Sequence, residues 1–278
     1  MNDLQSLTVQ DIKDMSYVEF ISLLRETNRC PGGKQTIKKI LQNSFVSANS
    51  NVLEIGSNTG FTSLEIARTV KCKVTGIEID PTAVEESKRL LSQDTKEIQQ
   101  NVNFKVGSAL KITEEDNAYD LLVAGGATSF MDDKKTALKE YHRVIKPWGF
   151  LSITNLCYLT QPPAEVVDNV SEIIGVNINP WSSKQWMDLF KQNTNFEVYH
   201  FEENNLQHKT QNEIDEYVSY FIEKEHIKNL PSDVKETIRE RWGNTISAFN
   251  ENHKYLGYIL VLFRKRYLEE ESEFFTNN

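Results

Sequence analysis

The stretch VLEIGSNTGFT, Val52 to Thr62, decides how this chain is read. Val52–Ile55 has the character of a buried strand and runs directly into Gly56 and Gly60, with Asn58 between them. A strand followed by a glycine turn and a helix N-terminus lets backbone N–H groups approach a ligand closely. A dinucleotide fingerprint would read G-x-G-x-x-G, and here the first two glycines are not one residue apart. No G-K-S/T follows the turn, which excludes a phosphate-cradling P-loop.

Beyond this turn, apolar runs alternate with amphipathic stretches. A helix is expected through Phe61–Thr69, a second strand over Cys72–Ile79, and a helix from Pro81 to Leu91 for which Asp80 is the N-cap. Val102–Val106 reads as a third strand and Leu121–Ala124, entered from Tyr119-Asp120, as a fourth. A helix from about Asp133 to Ile145 stops at Lys146-Pro147-Trp148-Gly149, and Phe150–Thr154 is the fifth strand. This order and spacing imply right-handed crossovers and a parallel sheet covered on both faces. Ser182–Gln192 reads as a further helix, with Phe196–Phe201 and Gly257–Phe263 as sixth and seventh strands.

Three pieces outside this pattern look helical: residues 8–27, residues 162–175, and the long stretch from Glu202 to Leu256. In the last, Ile214, Tyr217, Val218 and Phe221 form one apolar stripe and Val234, Ile238, Trp242 and Ile246 another. A compact domain rarely carries a structureless loop of that length. The three pieces are expected to form a lid over the carboxyl ends of the strands, where an open parallel sheet binds ligands.

Chemistry gathers at those strand ends. Glu78 closes the second strand, where a carboxylate can accept both hydroxyls of a ribose. Asp80 is its rival, but capping the helix begun by Pro81 already accounts for Asp80. Gly107-Ser108-Ala109 follows the third strand, and Ala124-Gly125-Gly126 ends the fourth without side chains, leaving room for a ligand.

Taken in series, VLEIGSNTGFTSLEIA, VTGIEID, NFKVGSA, YDLLVAGG and ALKEYHRVIKPWGFLSITN resemble the class I S-adenosylmethionine-dependent methyltransferases of the type 11/25-like kind. The resemblance covers roughly residues 45–160. It implies an α/β fold: a seven-stranded Rossmann-like sheet with its last strand antiparallel, helices on both faces, and a helical lid from the N-terminus and insertions. The organisation implied is a lid segment over 1–44, the cofactor-binding core over 45–160, and completion of the sheet over 161–278 with insertions at about 162–175 and 207–254. Carried over by position, Glu54 lies near the methionine part of S-adenosylmethionine, and Gly56, Ser57, Asn58, Thr59 and Gly60 wrap its amino-acid end. Glu78 holds the ribose, Ile79 packs on the adenine, Ser108 and Ala109 meet its polar edge, and Ala124 and Gly125 leave space beside it. Two positions depart from the family: Ser108 stands where aspartate is common, and Asn58 where glycine is common. Asparagine tolerates the left-handed conformation better than other residues with a side chain, so Asn58 is expected there.

Composition bounds the partners. Net charge is −9, from 40 acidic and 31 basic side chains, which provides no footprint for a nucleic-acid backbone and mildly favours a neutral or cationic substrate. No run approaches the roughly 18 apolar residues of a membrane span. The opening MNDLQSLTVQDIKDM resembles neither a signal nor a transit peptide, so a cytoplasmic location is expected. The tail LEEESEFFTNN reads as a frayed end. Cys30, Cys72 and Cys157 form no C-x-x-C pair and are expected as buried thiols, with no metal site.

The acceptor is expected to be a small molecule or a peptide natural product. The acidic balance leans toward an amine nitrogen, such as the N-terminal amine methylated by plantazolicin-type peptide methyltransferases, although no motif ties the chain to them. Oxygen methylation is the alternative. From another class, a nucleotide-dependent oxidoreductase or a cofactor-binding module without turnover shares the topology. No His or Asp occupies a recognisable base position, and His142 reads as a packing or surface residue. Tyr17, Arg29, Tyr158 and Trp181 are the candidate substrate contacts. Nothing in the sequence indicates an oligomeric state.

Overall fold

The computed structural model describes residues 6–27 and 29–267. The tail LEEESEFFTNN lies outside the described residues. Seven strands form one sheet: β1 (Asn51–Ile55), β2 (Lys73–Glu78), β3 (Val102–Val106), β4 (Tyr119–Ala124), β5 (Ile145–Tyr158), β6 (Phe196–Asn205) and β7 (Leu256–Lys265). Their order is β3-β2-β1-β4-β5-β7-β6, with the first five strands paired parallel and β7 antiparallel. The order reverses at β1, which lies between β2 and β4. Such a reversal opens a crevice at the carboxyl ends of the strands.

The strands read as near-continuous apolar runs because both faces are covered. On one face Val52, Val74, Phe104 and Val123 share a core with Ile37 and Ile40 of α3 (Gly33–Asn43) and Leu64 and Ala67 of α4 (Phe61–Val70). Asp80 caps the helix over Pro81–Leu91 as expected, accepting from the Thr82 N–H at 2.9 Å. All three cysteines are buried thiols outside any disulfide.

Two local expectations are corrected. Lys146-Pro147-Trp148-Gly149 does not precede the fifth strand but lies inside it. Tyr119 pairs with Ile145 and Leu121 with Phe150, so residues 146–149 bulge out of register, with Trp148 at φ 65°. Proline cannot donate to the ladder, which confines it to such a bulge. The helix expected over residues 8–27 is two short ones, α1 (Val9–Asp14) and α2 (Tyr17–Leu23). Ser16 breaks it with a capping box: its N–H donates to Glu19 Oε2 at 2.8 Å and its Oγ accepts from the Glu19 N–H at 3.2 Å.

The chain divides into two compact units. The sheet unit takes Asn28–Leu156, Lys184–Asn204 and Tyr258–Asn278; the helical unit takes Met1–Thr27, Cys157–Ser183 and Asn205–Gly257. The three helical pieces of the sequence therefore converge in one unit. Its core joins Phe20 of α2 to Ile214, Val218 and Phe221 of the helix Gln211–Ile222, and to Val234, Ile238 and Trp242 of the helix Ser232–Asn252. Trp242 is the hub, with ring centroids 6.2 Å from Phe20, 6.1 Å from Tyr217 and 5.5 Å from Phe221. Trp242→Ala empties the centre of this core and is expected to cost about 3–5 kcal/mol. Limited proteolysis checks this: cleavage should accelerate in Asn205–Gly257 of the variant while the sheet unit stays resistant.

Candidate cofactor and acceptor site

The glycine turn after β1 is tied down by both of its neighbours. The Gly56 and Ser57 N–H groups donate to the Ile77 carbonyl at 2.9 and 3.1 Å, which pulls the turn onto β2. Gly56 has φ 70°, Asn58 φ 44° and Gly60 φ 88°, so the chain passes three times through the left-handed region. Asn58 thus takes the conformation expected of it, and its Oδ1 accepts from the Thr59 N–H at 2.7 Å. A side chain at Gly60 would meet the Phe104 ring at 2.5 Å, and one at Gly56 would meet Ala127 Cβ at 2.6 Å. Neither position tolerates a Cβ, on conformational and on steric grounds.

Gly60 is also the N-cap of α4 and has no side chain to cap with. Glu54 of β1 supplies that function from outside the helix. Its Oε2 accepts from the Ser63 N–H at 2.9 Å and from Ser63 Oγ at 2.5 Å. The carboxylate thus sits at the positive end of α4. Burial nonetheless dominates, and it pushes the Glu54 pKa up to about 7, with a smaller push from the nearby Glu78 carboxylate. The hydrogen bonds from Ser63 and Thr62 act in the opposite direction.

Glu78 is the second tether. Oε2 accepts from the Asn58 N–H at 2.9 Å, and Oε1 accepts from the N–H groups of Ile79 at 2.7 Å and Asp80 at 3.2 Å. The carboxylate is therefore oriented at the end of β2, beside the turn. Ile79 follows it with 72% of its surface exposed among the described residues, an open apolar platform. At the end of β3 the Gly107 N–H donates to the Glu78 carbonyl at 2.9 Å. Ser108 Oγ accepts from the Leu110 N–H at 3.2 Å, so its hydroxyl shapes its own turn, and Ala109 is buried.

The end of β4 is more crowded than its glycines suggested. A side chain at Gly125 would meet Cys30 Cβ at 3.1 Å, so part of the room is used by the protein's own chain. Cys30 belongs to the segment before α3, where Arg29 also places its guanidinium 5.0 Å from the Phe61 ring, one residue past Gly60. Arg29 and Cys30 thus flank the turn and the end of β4 within the sheet unit. Burial raises the Cys30 thiol to about 12, so it is a neutral packing group. The reading of Cys30 as merely a buried thiol missed this placement, because nothing local to RETNRCPGG indicates where the segment lands.

The other candidate contacts fall in the helical unit. Tyr17 meets the Phe249 ring edge-on at 6.1 Å, and burial raises its hydroxyl to about 12, so it stays protonated. Tyr158 is buried with Val167 and Leu256. The Trp181 carbonyl accepts from the Tyr158 N–H at 2.8 Å. His142 pairs with Asn195 Oδ1 at 2.7 Å and packs on Phe196, which makes it a packing residue. Among the described residues no cluster of His, Cys, Asp and Glu could hold a metal ion, and no helix is long and apolar enough to cross a membrane.

The strand order, the left-handed turn, and the carboxylate with its apolar platform one strand away define a class I methyltransferase core. Comparison with known proteins agrees: residues 46–194 match the methyltransferase domain family model, and the chain belongs to that family. S-adenosylmethionine, which the resemblance implied, is its cofactor. The chain is 25% identical over 182 residues to an uncharacterized protein of Haemophilus influenzae, covering 65% of this chain and 72% of that one. It is 28% identical over 156 residues to the O-methyltransferase resE of Aspergillus sclerotiorum, covering 56% of this chain and 58% of the relative. The chain thus spans little more than half of that relative's length. A crystal structure of the MccD protein superposes with a TM-score of 0.75 at 22% identity, over 86% of this chain and all of the other, a likeness of fold.

The elevated Glu54 pKa has a consequence for stability. Below the ordinary glutamate value near 4.5 both folded and unfolded chains hold the proton, and the group costs nothing. As pH rises toward 7 the unfolded chain releases it first, so stability falls by roughly 3 kcal/mol and then levels off. Glu54→Gln keeps an acceptor for Ser63 and removes the titration. The difference in urea midpoint between wild type and this variant should therefore change between pH 5 and pH 8 in favour of the variant. A constant difference would show that Glu54 titrates normally.

Proposed function

We propose that the sheet unit binds S-adenosylmethionine along the carboxyl ends of β1, β2 and β3, and that the chain transfers its methyl group to a small-molecule acceptor at the ends of β4 and β5. The single observation that carries this reading is the fixed Glu78 carboxylate beside a left-handed glycine turn and a bare Ile79. The residues present fit the group. Gly56, Ser57, Asn58, Thr59 and Gly60 form a cradle that a Cβ at Gly56 or Gly60 would disrupt, and it would wrap the amino-acid end. Glu54 would act at this end through α4, and Arg29 would face its carboxylate. Glu78 would accept the ribose hydroxyls, Ile79 would cover one face of the adenine, and the Ser108-Ala109 turn would meet its edge, with Ala124 and Gly125 beside it. Bound there, the group supplies a methyl carbon activated by a sulfonium.

The chain's own contribution is alignment and exclusion of water, which suffice for an in-line displacement. Between Ala124 and Met131 no side chain is a base, so the nucleophile has to arrive uncharged or lose its proton to solvent. The lean toward an amine rests on net charge alone. No carboxylate on the β4 or β5 ends pairs with an ammonium, so an amine acceptor would have to be neutral, and an hydroxyl oxygen fits the same surroundings. The kinship with an O-methyltransferase supports the oxygen reading. The helical unit, which receives the chain directly from the end of β5, is the part we propose to set acceptor specificity.

Glu78→Ala removes two hydrogen bonds to a charged group and the anchor of Asn58. A hydrogen bond of that kind is worth about 1.5–3 kcal/mol, so affinity for S-adenosylhomocysteine should fall at least tenfold. Titration calorimetry measures it, with NAD as the control that neither protein should bind. Undiminished affinity in the variant would remove the ribose assignment.

A further inference from the structure

Three buried side chains on β5 carry polar atoms with no hydrogen-bond partner among the described residues: Ser152 Oγ, Thr154 Oγ1, and both Nδ2 and Oδ1 of Asn155. All three residues have 0% of their surface exposed. A hydroxyl can swing its single proton toward whatever acceptor lies near. A carboxamide is planar, and Asn155 leaves two donors and an acceptor oxygen unused. Buried polar groups are almost always paired, and leaving one unpaired destabilises the fold, so this exception calls for an explanation.

Its position supplies one. Ala124, the last residue of β4, pairs with Ile153, and Asn155 lies two residues further along β5. A side chain at Gly126 would meet the Thr154 carbonyl at 3.6 Å, which confirms how closely the two strand ends run. Asn155 therefore stands at the carboxyl edge of the sheet beside the glycines that follow β4. The two strand ends themselves carry no charge: neither residues 121–131, LLVAGGATSFM, nor residues 149–161, GFLSITNLCYLTQ, include an ionisable acid or base of the Asp, Glu, Lys, Arg or His kind, and Arg29 is the charged side chain that flanks the end of β4 from another segment. Two exposed side chains flanking this edge are apolar, Phe130 at 74% and Leu156 at 45%.

We infer that Asn155 binds the methyl acceptor, and that the acceptor is a neutral molecule presenting a hydrogen-bond donor and acceptor side by side, as an amide or an ortho-hydroxycarbonyl group does. The inference rests on the methyltransferase reading above. Such an edge satisfies Nδ2 and Oδ1 together, whereas an alkylammonium offers only donors and leaves Nδ2 unpaired. The carboxamide takes no proton; it orients the acceptor among apolar neighbours.

Two measurements test this. Asn155→Leu replaces the unpaired carboxamide with an apolar group of similar size, so the ligand-free variant should melt about 2–4 °C higher than wild type. A melting temperature lowered as by a core truncation would mean that Asn155 is structurally paired, and would overturn the inference. In saturation-transfer NMR on protein loaded with S-adenosylhomocysteine, wild type should bind salicylamide in preference to the cation tyramine. Both Asn155→Leu and Asn155→Ala should bind salicylamide at least tenfold more weakly. No binding of salicylamide to wild type, equal binding by the variants, or preference for tyramine would each overturn it. Calorimetry with S-adenosylhomocysteine separates the two levels. Failure of wild type to bind it removes the methyltransferase reading as well, whereas normal binding with Asn155 indifferent removes only this inference.

Discussion

Two backbone N–H groups, those of Asn58 and Ser63, are held by two carboxylates from adjacent strands, and the geometry of the cofactor edge depends on that pair. Glu78 receives Asn58 and so holds the turn; Glu54 receives Ser63 and so starts the helix. Between them Gly60 closes the turn above the Phe104 ring. An N-cap glycine leaves the first turn of a helix with unpaired donors, and a buried acid from the preceding strand is an unusual substitute for a cap side chain. The arrangement has a cost: the carboxylate that caps α4 is buried, and its proton affinity rises accordingly. The return is a rigid turn whose backbone is already shaped before any ligand arrives, which reduces the ordering that binding requires.

The same pair separates what could be read from the sequence from what could not. Glu54, Gly56, Gly60 and Glu78 are legible because strand period and glycine spacing place them at two neighbouring strand ends. Asn58 was legible as well, since a single backbone conformation suits both a glycine-like turn and an asparagine. The role of Glu54 as a cap for α4 was not. It depends on Ser63 being the third residue of a helix whose N-cap has no side chain, a relation between three elements rather than within one. Cys30 was hidden for a similar reason, and Arg29 was legible as a candidate contact but not by its neighbours: both precede α3, and only the folded chain brings them against Gly125 and Phe61. The bulge at Lys146-Pro147-Trp148-Gly149 resembles a helix stop in one dimension, and only the pairing of Ile145 with Tyr119 shows that the strand has already begun.

The helical unit was legible by its stripes and less so by its breaks. Ile214, Val218 and Phe221 and the Val234–Trp242 face meet as their spacing required, because burial of an amphipathic face leaves few alternatives. Residues 8–27 kept the helical character but not the continuity, since Ser16 and Glu19 satisfy each other's backbone groups and restart the helix. Local hydrogen bonding of that kind outweighs periodicity over a short segment.

The acceptor edge follows a different logic from the cofactor edge. Along β1 and β2, charge is present and fully engaged with backbone donors, so it fixes shape. Towards the carboxyl ends of β4 and β5, beyond the Asp120–Lys146 pair at their other ends, the strands' own side chains are uncharged, and Ser152, Thr154 and Asn155 hold buried polar atoms without partners among the described residues. Methyl transfer from a sulfonium asks little of the protein as an acid or base, but it does require the nucleophile's lone pair to face one carbon in a dry setting. A fixed carboxylate there would stabilise the protonated form of an amine and so withdraw the nucleophile, whereas a neutral carboxamide orients without protonating. The distribution of side chains at the strand ends, carboxylates at one pair and uncharged groups at the next, is therefore what a division between holding a donor and aligning an acceptor requires.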